Sequence, residues 1–289
     1  MVNDYQMIVK DGVEGLKGID ETIKLIYGSP PYPNASRDYG HWDSESWMDF
    51  MMPFCEIGSS KLADDGFMVI NAKACREPAK SGGNTTRSFA VEKLAIRISE
   101  EIGLSCVDIE IWSKTNPVPT GLRVACQDSY EQILWFSKRS DWSIELDRIR
   151  TAYKESSIKA YDRQLYKARK GVSYVRKSKH IDPNPSGSLP KNVIQCATSS
   201  SQTGHQATQP REIPRKYILA CTEVGDLVVD PWMGSGTTGV ESISLGRRFI
   251  GFDVHPYYVS IAEERMTSES TVNEGRIKQH DLRYFLGGA

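Results

Sequence analysis

The sequence predicts an α/β protein, a doubly wound and mostly parallel sheet with helices on both faces. Three observations carry this expectation. Short apolar runs alternate along the chain with longer helical patterns. Two of those runs end directly in a turn rich in glycine or proline, as strands of open α/β sheets do at their carboxyl ends. At 289 residues, 39% hydrophobic and 25% charged, the chain can bury one large core or two modest ones.

The elements follow in order. Strands are expected at Ile23 to Tyr27, Gly66 to Asn71, Val107 to Trp112, Gln132 to Ser137, Leu227 to Asp230 and Phe249 to Asp253, each a short apolar run. Longer helical stretches lie between or after them, at Ser46 to Leu62, Phe89 to Ile102, Gly236 to Ser244 and Tyr257 to Met266. Ile149, Tyr153, Ser157, Tyr161 and Leu165 recur every four residues and predict an amphipathic helix closed near Gly171. HIDPNPSGSLP, from His180 to Pro190, reads as a linker, because proline and glycine do not extend regular structure there. KSGGNTTRS, from Lys80 to Ser88, has no apolar anchor and reads as a mobile loop.

Composition excludes several function classes. The mean hydropathy of -0.44 and the lack of any apolar run near the ~20 residues of a spanning helix argue against a membrane protein. MVNDYQMIVK lacks the basic-then-apolar layout of a secretion signal, so a cytoplasmic location is expected. The six cysteines form no C-x-x-C pair and read as mostly buried thiols, and the five histidines form no H-x-E or H-E-x-x-H pattern, so no metal is expected.

The near-neutral total of -1 hides a local asymmetry. Between Lys138 and Lys191 fourteen Lys or Arg face six Asp or Glu, a net +8, which leaves -9 for everything else. A basic block set in an acidic chain suits a polyanion, since cationic side chains gain affinity by releasing the counterions condensed on nucleic acid; a solvated helix face is the plainer alternative.

Two constellations carry chemistry. In VVDPWMGSGTTGVESISLGRRFIGFD, Val228 to Asp253, an apolar strand ends in Asp230, a glycine-rich turn opens a helix, and a second strand ends in Asp253, twenty-three residues after the first acid. Glycines let backbone approach a ligand, and an acid at the end of the second strand suits paired ribose hydroxyls. The spacing of Gly234, Gly236 and Gly239 is not the dinucleotide fingerprint, and no P-loop lysine follows, so an adenosine-containing ligand without phosphates fits better than a pyrophosphate. In KLIYGSPPYPNASRDYG, Lys24 to Gly40, a strand ends in Gly28 and is followed by Ser29, Pro30, Pro31 and Tyr32. The prolines hold extended backbone and leave carbonyls free of local pairing. Ser29 and the carbonyl of Pro30 could accept both hydrogens of an amino group on a planar base, with Tyr32 stacked on its ring. Alone, this tetrapeptide also suits a rigid loop.

Taken together, DPWMGSGTT and SPPY resemble the cofactor and catalytic motifs of the amino-methylating, S-adenosyl-L-methionine (SAM)-dependent DNA methyltransferases, in the beta-class order with the catalytic motif first. Four further segments are similar to that family in the same order: IVKDGVEGL, IEIWSKTNPVP, YEQILWFSKR and GHQATQPREIPRKYI. Trp232 stands where the family has Phe, and Asp253 where it often has Glu.

The resemblance implies a cofactor site of Asp11, at the adenine, with Asp230, Trp232, Gly234, Ser235, Gly236, Thr237, Thr238 and Asp253, and with His205 as structural support. It implies Ser29, Pro30, Pro31 and Tyr32 as the catalytic tetrad, direct attack of an exocyclic amino nitrogen on the cofactor methyl, and flipping of the target nucleotide out of duplex DNA. Serine at the first tetrad position marks cytosine-N4 rather than adenine-N6 methylation in the family. Methylation at ring carbon would instead call for a cysteine nucleophile, commonly in a Pro-Cys pair, which this chain lacks.

The family's target-recognition region falls on the basic block. The expected division is therefore a catalytic half over residues 1–137, a recognition region over 138–191 and a cofactor half over 192–289. Expected DNA contacts are Arg163, Lys167, Arg169, Lys170, Arg176 and Lys177, with Lys80 and Arg87 as a clamp from their loop. The resemblance further implies a bacterial, archaeal or phage-encoded enzyme, a monomer or homodimer, with a cognate restriction endonuclease as partner. Adenine-N6 methylation, an RNA or protein substrate, and an inactive DNA-binding module stay open as alternatives.

Overall fold

The computed structural model describes residues 4–33, 42–77, 83–117, 119, 125–162, 184–198 and 209–269. Contacts divide the chain into a larger unit, Met1–Ser143 with Asn192–Ala289, and a smaller one, Ile144–Lys191.

The larger unit is built on one eight-stranded sheet. In chain order its elements are β1 (Tyr5–Val9), α1 (Gly12–Lys17), β2 (Ile23–Gly28), α2 (Ser44–Lys61), β3 (Leu62–Ala72), a small ribbon of β4 (Arg76–Glu77) and β5 (Thr86–Arg87), α3 (Ala90–Arg97), β6 (Ser105–Lys114) and β7 (Tyr130–Ser137). After the smaller unit, which holds α4 (Glu155–Asp162), come β8 (Val193–Cys196), α5 (Glu212–Cys221), β9 (Leu227–Asp230), α6 (Thr237–Ser244), β10 (Arg248–Asp253) and helical residues 256–269, here α7. The strand order is β1-β10-β9-β2-β3-β7-β6-β8. All neighbours are parallel except β7, which runs antiparallel to both β3 and β6.

Side-chain alternation explains the two layers. Ile26, Met68, Ile70, Val229, Leu134 and Phe136 share one buried cluster with Leu16 of α1, Trp47, Met51 and Phe54 of α2, and Val91 and Leu94 of α3. Their strand neighbours Leu25, Tyr27, Val69, Val228 and Trp135 are equally buried and, with a period of two, face the other side, where α5 and α6 pack. Strands buried on both faces read as continuous apolar runs, which is why they were legible in the sequence.

Four local features depart from the expectations. First, β1, α1, α5 and β8 have no counterpart among the elements that the apolar pattern predicts. Helix α5 carries Pro214 in its first turn, where the missing N–H has no intrahelical acceptor to lose. Second, the helix ending at Ile102 closes in a wider turn, with Gly103 N donating to Ile98 O at 3.1 Å and Gly103 at φ 82°. Third, the segment from Lys80 to Ser88 is partly a paired ribbon, because Thr86–Arg87 closes antiparallel on Arg76–Glu77 and Ser88 N donates to Cys75 O at 3.0 Å.

The fourth departure lies in the smaller unit. Ile149 sits in a short 3-10 turn, Leu146–Ile149, and Tyr153 precedes the helix, which starts only at Glu155. Tyr153 is used elsewhere, its hydroxyl accepting from Asn184 N at 3.1 Å. Thr151 pairs antiparallel with Ser188, and Arg150 Nη1 donates to Gly187 O at 2.9 Å, so the two ends of this unit are tied together. At Ile149 and Tyr153 the spacing of four is therefore set by loop contacts, while Leu165 and the expected end near Gly171 lie outside the described residues.

Candidate active site

The strand order places both sequence constellations on one edge of the sheet. Parallel β1, β10, β9, β2 and β3 all end there, and β7, running the other way, begins there. Along this edge stand Asp11 just beyond β1, Asp253 closing β10, Asp230 closing β9, Ser29 just after β2, Asn71 near the end of β3 and Glu131 at the start of β7. Adjacent strands are ~4.8 Å apart, so Asp253 and Ser29 stand about 10 Å apart across the sheet. Ligands of open α/β sheets bind outside such an edge.

On the β9 side the glycine-rich turn is braced from within. Asp230 is 4% exposed and accepts from Trp232 N at 3.0 Å and Thr238 Oγ1 at 2.6 Å. Burial outweighs these two bonds and, with Asp253 adding repulsion, pushes the Asp230 carboxyl up to about 7. Asp253 accepts from Gly234 N at 3.1 Å with one oxygen and from His255 N at 2.8 Å with the other, fixing its carboxylate at the mouth of the turn. Gly236 caps α6 at φ 77°, a left-handed conformation open chiefly to glycine. Sequence reasoning missed Arg265 of α7, which donates to Ser235 O, to Ser235 Oγ at 3.0 Å and to Thr237 Oγ1 at 3.3 Å. Asp11 is the N-cap of α1, with Oδ1 accepting from Val13 N at 3.0 Å and Glu14 N at 3.1 Å, which ties down one carboxylate oxygen.

On the β2 side the tetrad is clamped by α2. Trp47 Nε1 donates to Pro31 O at 2.7 Å, so of the two proline carbonyls it is Pro30 O to which no described residue donates. The Trp232 ring packs 4.4 Å from Phe54, and a Cβ on Gly28 would lie 2.9 Å from Trp232 Cε3. Trp232 is thus a wall between the glycine-rich turn and the tetrad, and Gly28 has no side chain because the indole occupies that place.

The Tyr32 hydroxyl is held from neighbouring strands. Its hydroxyl donates to Glu131 Oε2 at 2.6 Å and lies 2.9 Å from Ser29 Oγ, while Asn71 Nδ2 reaches it at 3.2 Å. Burial first, and then the Glu131 charge, push the phenol well above its ordinary value. Glu131, 4% exposed, also accepts from Asn71 Nδ2 at 2.7 Å and pairs with Lys114 at 2.5 Å. Nothing local in the sequence singles out Glu131, Asn71 or Lys114; they meet the tetrad only because β3, β7 and β6 are neighbours.

Other expected residues are placed less centrally. Arg87 pairs with Asp128 at 2.9 Å and lies 5.0 Å over the Tyr130 ring, so its charge is already engaged. Lys80, Arg163, Lys167, Arg169, Lys170, Arg176, Lys177 and His205 lie outside the described residues. The segment after His205 re-enters at Gln209, whose Oε1 accepts from Tyr27 OH at 2.8 Å, and Arg211 and Arg215 both pair with buried Glu241 of α6. No group of three His, Cys, Asp or Glu among the described residues is arranged to hold a metal ion.

Comparison with known proteins agrees with this geometry. The DNA methylase family model, of N6 and N4 methyltransferases, matches residues 23–264. The type II methyltransferase M.PvuII of Proteus hauseri is 25% identical over 293 residues, covering 94% of this chain and 86% of that protein. M2.DpnII of Streptococcus pneumoniae is 28% identical over 272 residues, covering 88% and 85%. Among solved structures, the cytosine-N4-specific PvuII DNA methyltransferase superposes with a TM-score of 0.68 at 22% identity, covering 93% of this chain and 91% of that one. The M1.HpyAVI complex with SAM superposes with a TM-score of 0.56 at 22% identity, covering 91% and 98%.

Proposed function

The chain belongs to the DNA methylase family whose model spans residues 23–264, and from that premise we propose that it transfers a methyl group from SAM to the 4-amino group of a flipped cytosine in duplex DNA. The observation that carries this reading is the meeting, on one sheet edge and at the ends of the adjacent strands β9 and β2, of an acid-flanked glycine turn and an amino-accepting tetrad. Ser29 and the cytosine-N4-specific relative support cytosine as the base.

The residues fit SAM. Asp253 presents a backbone-fixed carboxylate suited to ribose hydroxyls, and Asp11 stands one strand further out, where an adenine would lie. Asp230 is a carboxyl held near 7 by a dry environment, so a cation arriving beside it would restore its charge; SAM carries an ammonium and a sulfonium, and no phosphate. When bound, SAM supplies a methyl group on a positively charged sulfur leaving group.

The protein's own residues do the rest. Ser29 Oγ and Pro30 O accept the two amino hydrogens and turn the nitrogen lone pair toward the cofactor edge. The Trp232 ring packs against Phe54 and over Gly28, and so borders the tetrad on the side of the glycine-rich turn. The amino proton lost on methylation passes to solvent, because a serine hydroxyl and an amide carbonyl accept hydrogen bonds but are too weakly basic to keep a proton. A base inside a duplex cannot reach Ser29, so the target must be extruded, at a cost of a few kcal/mol offset by pocket and phosphate contacts.

Residues 138–191 serve as the DNA-reading region in this proposal, through Arg163, Lys167, Arg169, Lys170, Arg176 and Lys177 with Lys80 and Arg87 in support. The enzyme would act in the cytoplasm as a monomer or homodimer, protecting DNA from a cognate restriction endonuclease without a stable complex.

The test is incubation with methyl-labelled SAM and unmethylated duplex DNA, followed by nucleoside analysis and mapping of the modified sequence. Label in N4-methylcytosine, lost in Ser29→Ala while SAM still binds, is expected. N6-methyladenine alone would overturn the choice of base, and no transfer to DNA despite SAM binding would overturn the substrate.

A further inference from the structure

Three polar side chains, Glu131, Asn71 and Lys114, surround the tetrad from strands it does not belong to, and the direction of their hydrogen bonds is fixed by chemistry. Glu131 as a carboxylate only accepts, and Lys114 Nζ on Oε1 only donates. Tyr32 has one proton, which goes to Glu131 Oε2 at 2.6 Å. The contact of 2.9 Å between Tyr32 OH and Ser29 Oγ must then use the serine proton, because the phenol has none left. Asn71 is oriented by the same logic: Nδ2 faces Glu131 Oε2 at 2.7 Å and the Tyr32 oxygen at 3.2 Å, which leaves its buried Oδ1 as an acceptor with no partner. With its proton committed to Tyr32, Ser29 Oγ has only lone pairs to offer a ligand.

We propose that Glu131 is a positioning residue that sets the hydrogen-bond polarity of the base pocket, making Ser29 an obligate acceptor so that the pocket selects an exocyclic amino group over a carbonyl. This rests on the cytosine reading above and deepens it. Cytosine presents N4–H2 donors where uracil presents the O4 acceptor, so an acceptor-only Ser29 pairs with the first and opposes the second. A free serine hydroxyl would accept from one and donate to the other, and would discriminate far less. The ion pair with Lys114 holds the chain of bonds in this direction from a side chain that touches neither base nor cofactor.

Glu131→Gln reverses the chain without changing its shape. Lys114 has only donors, so it draws the amide oxygen to itself and turns the amide N–H2 toward Tyr32 and Asn71, whose own amide turns about to accept through Oδ1. Tyr32 then accepts, its proton passes to Ser29, and Ser29 points a donor at the base. Removing the lysine as well frees the amide to turn back, so Lys114→Met in the Glu131→Gln background should restore the original polarity. In a Ser29→Ala background Glu131→Gln should change nothing about base choice, because the group through which it acts is gone.

The measurement is the ratio of affinities for two duplexes carrying the mapped sequence, one with cytosine and one with uracil at the target, in the presence of S-adenosylhomocysteine so that no transfer occurs. The easier extrusion of a mispaired uracil affects every variant alike and cancels between them. Glu131→Gln is expected to lower the cytosine-to-uracil preference by about tenfold or more, the Lys114→Met double variant to recover most of it, and the Ser29→Ala pair to match Ser29→Ala alone. Tyr32→Phe, which releases the serine proton, should give an intermediate preference and carries the test should Glu131→Gln fail to fold. Equal weakening on both duplexes in Glu131→Gln, or an unchanged preference in Tyr32→Phe, would overturn the proposal alone. A wild-type chain that transfers methyl to no DNA would overturn the functional reading and this proposal with it.

Discussion

Asp230→Asn should make the ligand-free protein more stable at pH 8 than at pH 5, relative to wild type. Burial raises the folded carboxyl to about 7 from an ordinary 3.8. The folded state therefore binds the proton more tightly than the unfolded chain, and the associated stability is present below about pH 4 and lost as pH rises toward 7. At about 1.4 kcal/mol per pH unit, the penalty reaches about 1.6 kcal/mol at pH 5 and about 4 kcal/mol at pH 8. Asparagine removes the charge and keeps the geometry. Its oxygen accepts from Trp232 N, and its amide donates to a Thr238 hydroxyl that turns round. The stability gain from the substitution should thus be about 2 kcal/mol larger at pH 8 than at pH 5. Urea denaturation followed by tryptophan fluorescence at the two pH values measures it. The same gain at both values, or a loss at pH 8, would refute the claim that this carboxylate is held against its solvation. The same argument predicts that SAM binding to wild type near pH 7 releases a fraction of a proton, visible in calorimetry as a heat that depends on the buffer.

Three further expectations follow from named contacts. Trp47→Phe leaves Pro31 O without its 2.7 Å donor and should cost about 1 to 3 kcal/mol of stability, with a larger relative loss in kcat than in SAM affinity, read by denaturation and steady-state kinetics. Asp11→Ala removes the N-cap of α1 and should cost about 1 kcal/mol, while Asp11→Asn should keep the cap and the stability; a Tm difference between the two substitutions checks it. Replacing Arg163, Lys167, Arg169 and Lys170 together by alanine should flatten the dependence of log affinity for duplex DNA on log salt by up to about 4, with stability of the larger unit unaffected; an unchanged slope would remove these residues from the DNA-reading surface.

What the sequence determined by itself is the chemistry that contiguous residues encode. Glycines and prolines fix backbone shape within a few positions, so DPWMGSGTT and SPPY announce their turns without knowledge of the rest of the chain. The doubly buried strands are equally self-evident, since a run apolar on both faces has few other places to go. Periodicity was weaker: at Ile149 and Tyr153 the spacing suggested a helix that starts only at Glu155, because Tyr153 is recruited by Asn184, a contact the pattern cannot see.

Tertiary structure alone decided how the tetrad is held. Glu131 lies 99 positions from Tyr32 and meets it only through the β2-β3-β7 order; Trp47 reaches Pro31 across 16 positions, and Arg265 braces Ser235 across 30. A buried acid, an indole and an arginine carry no local mark of function, because their role comes from the direction of hydrogen bonds made across strands. A residue's type states which bonds it can make; only the packing of the sheet states with whom it makes them.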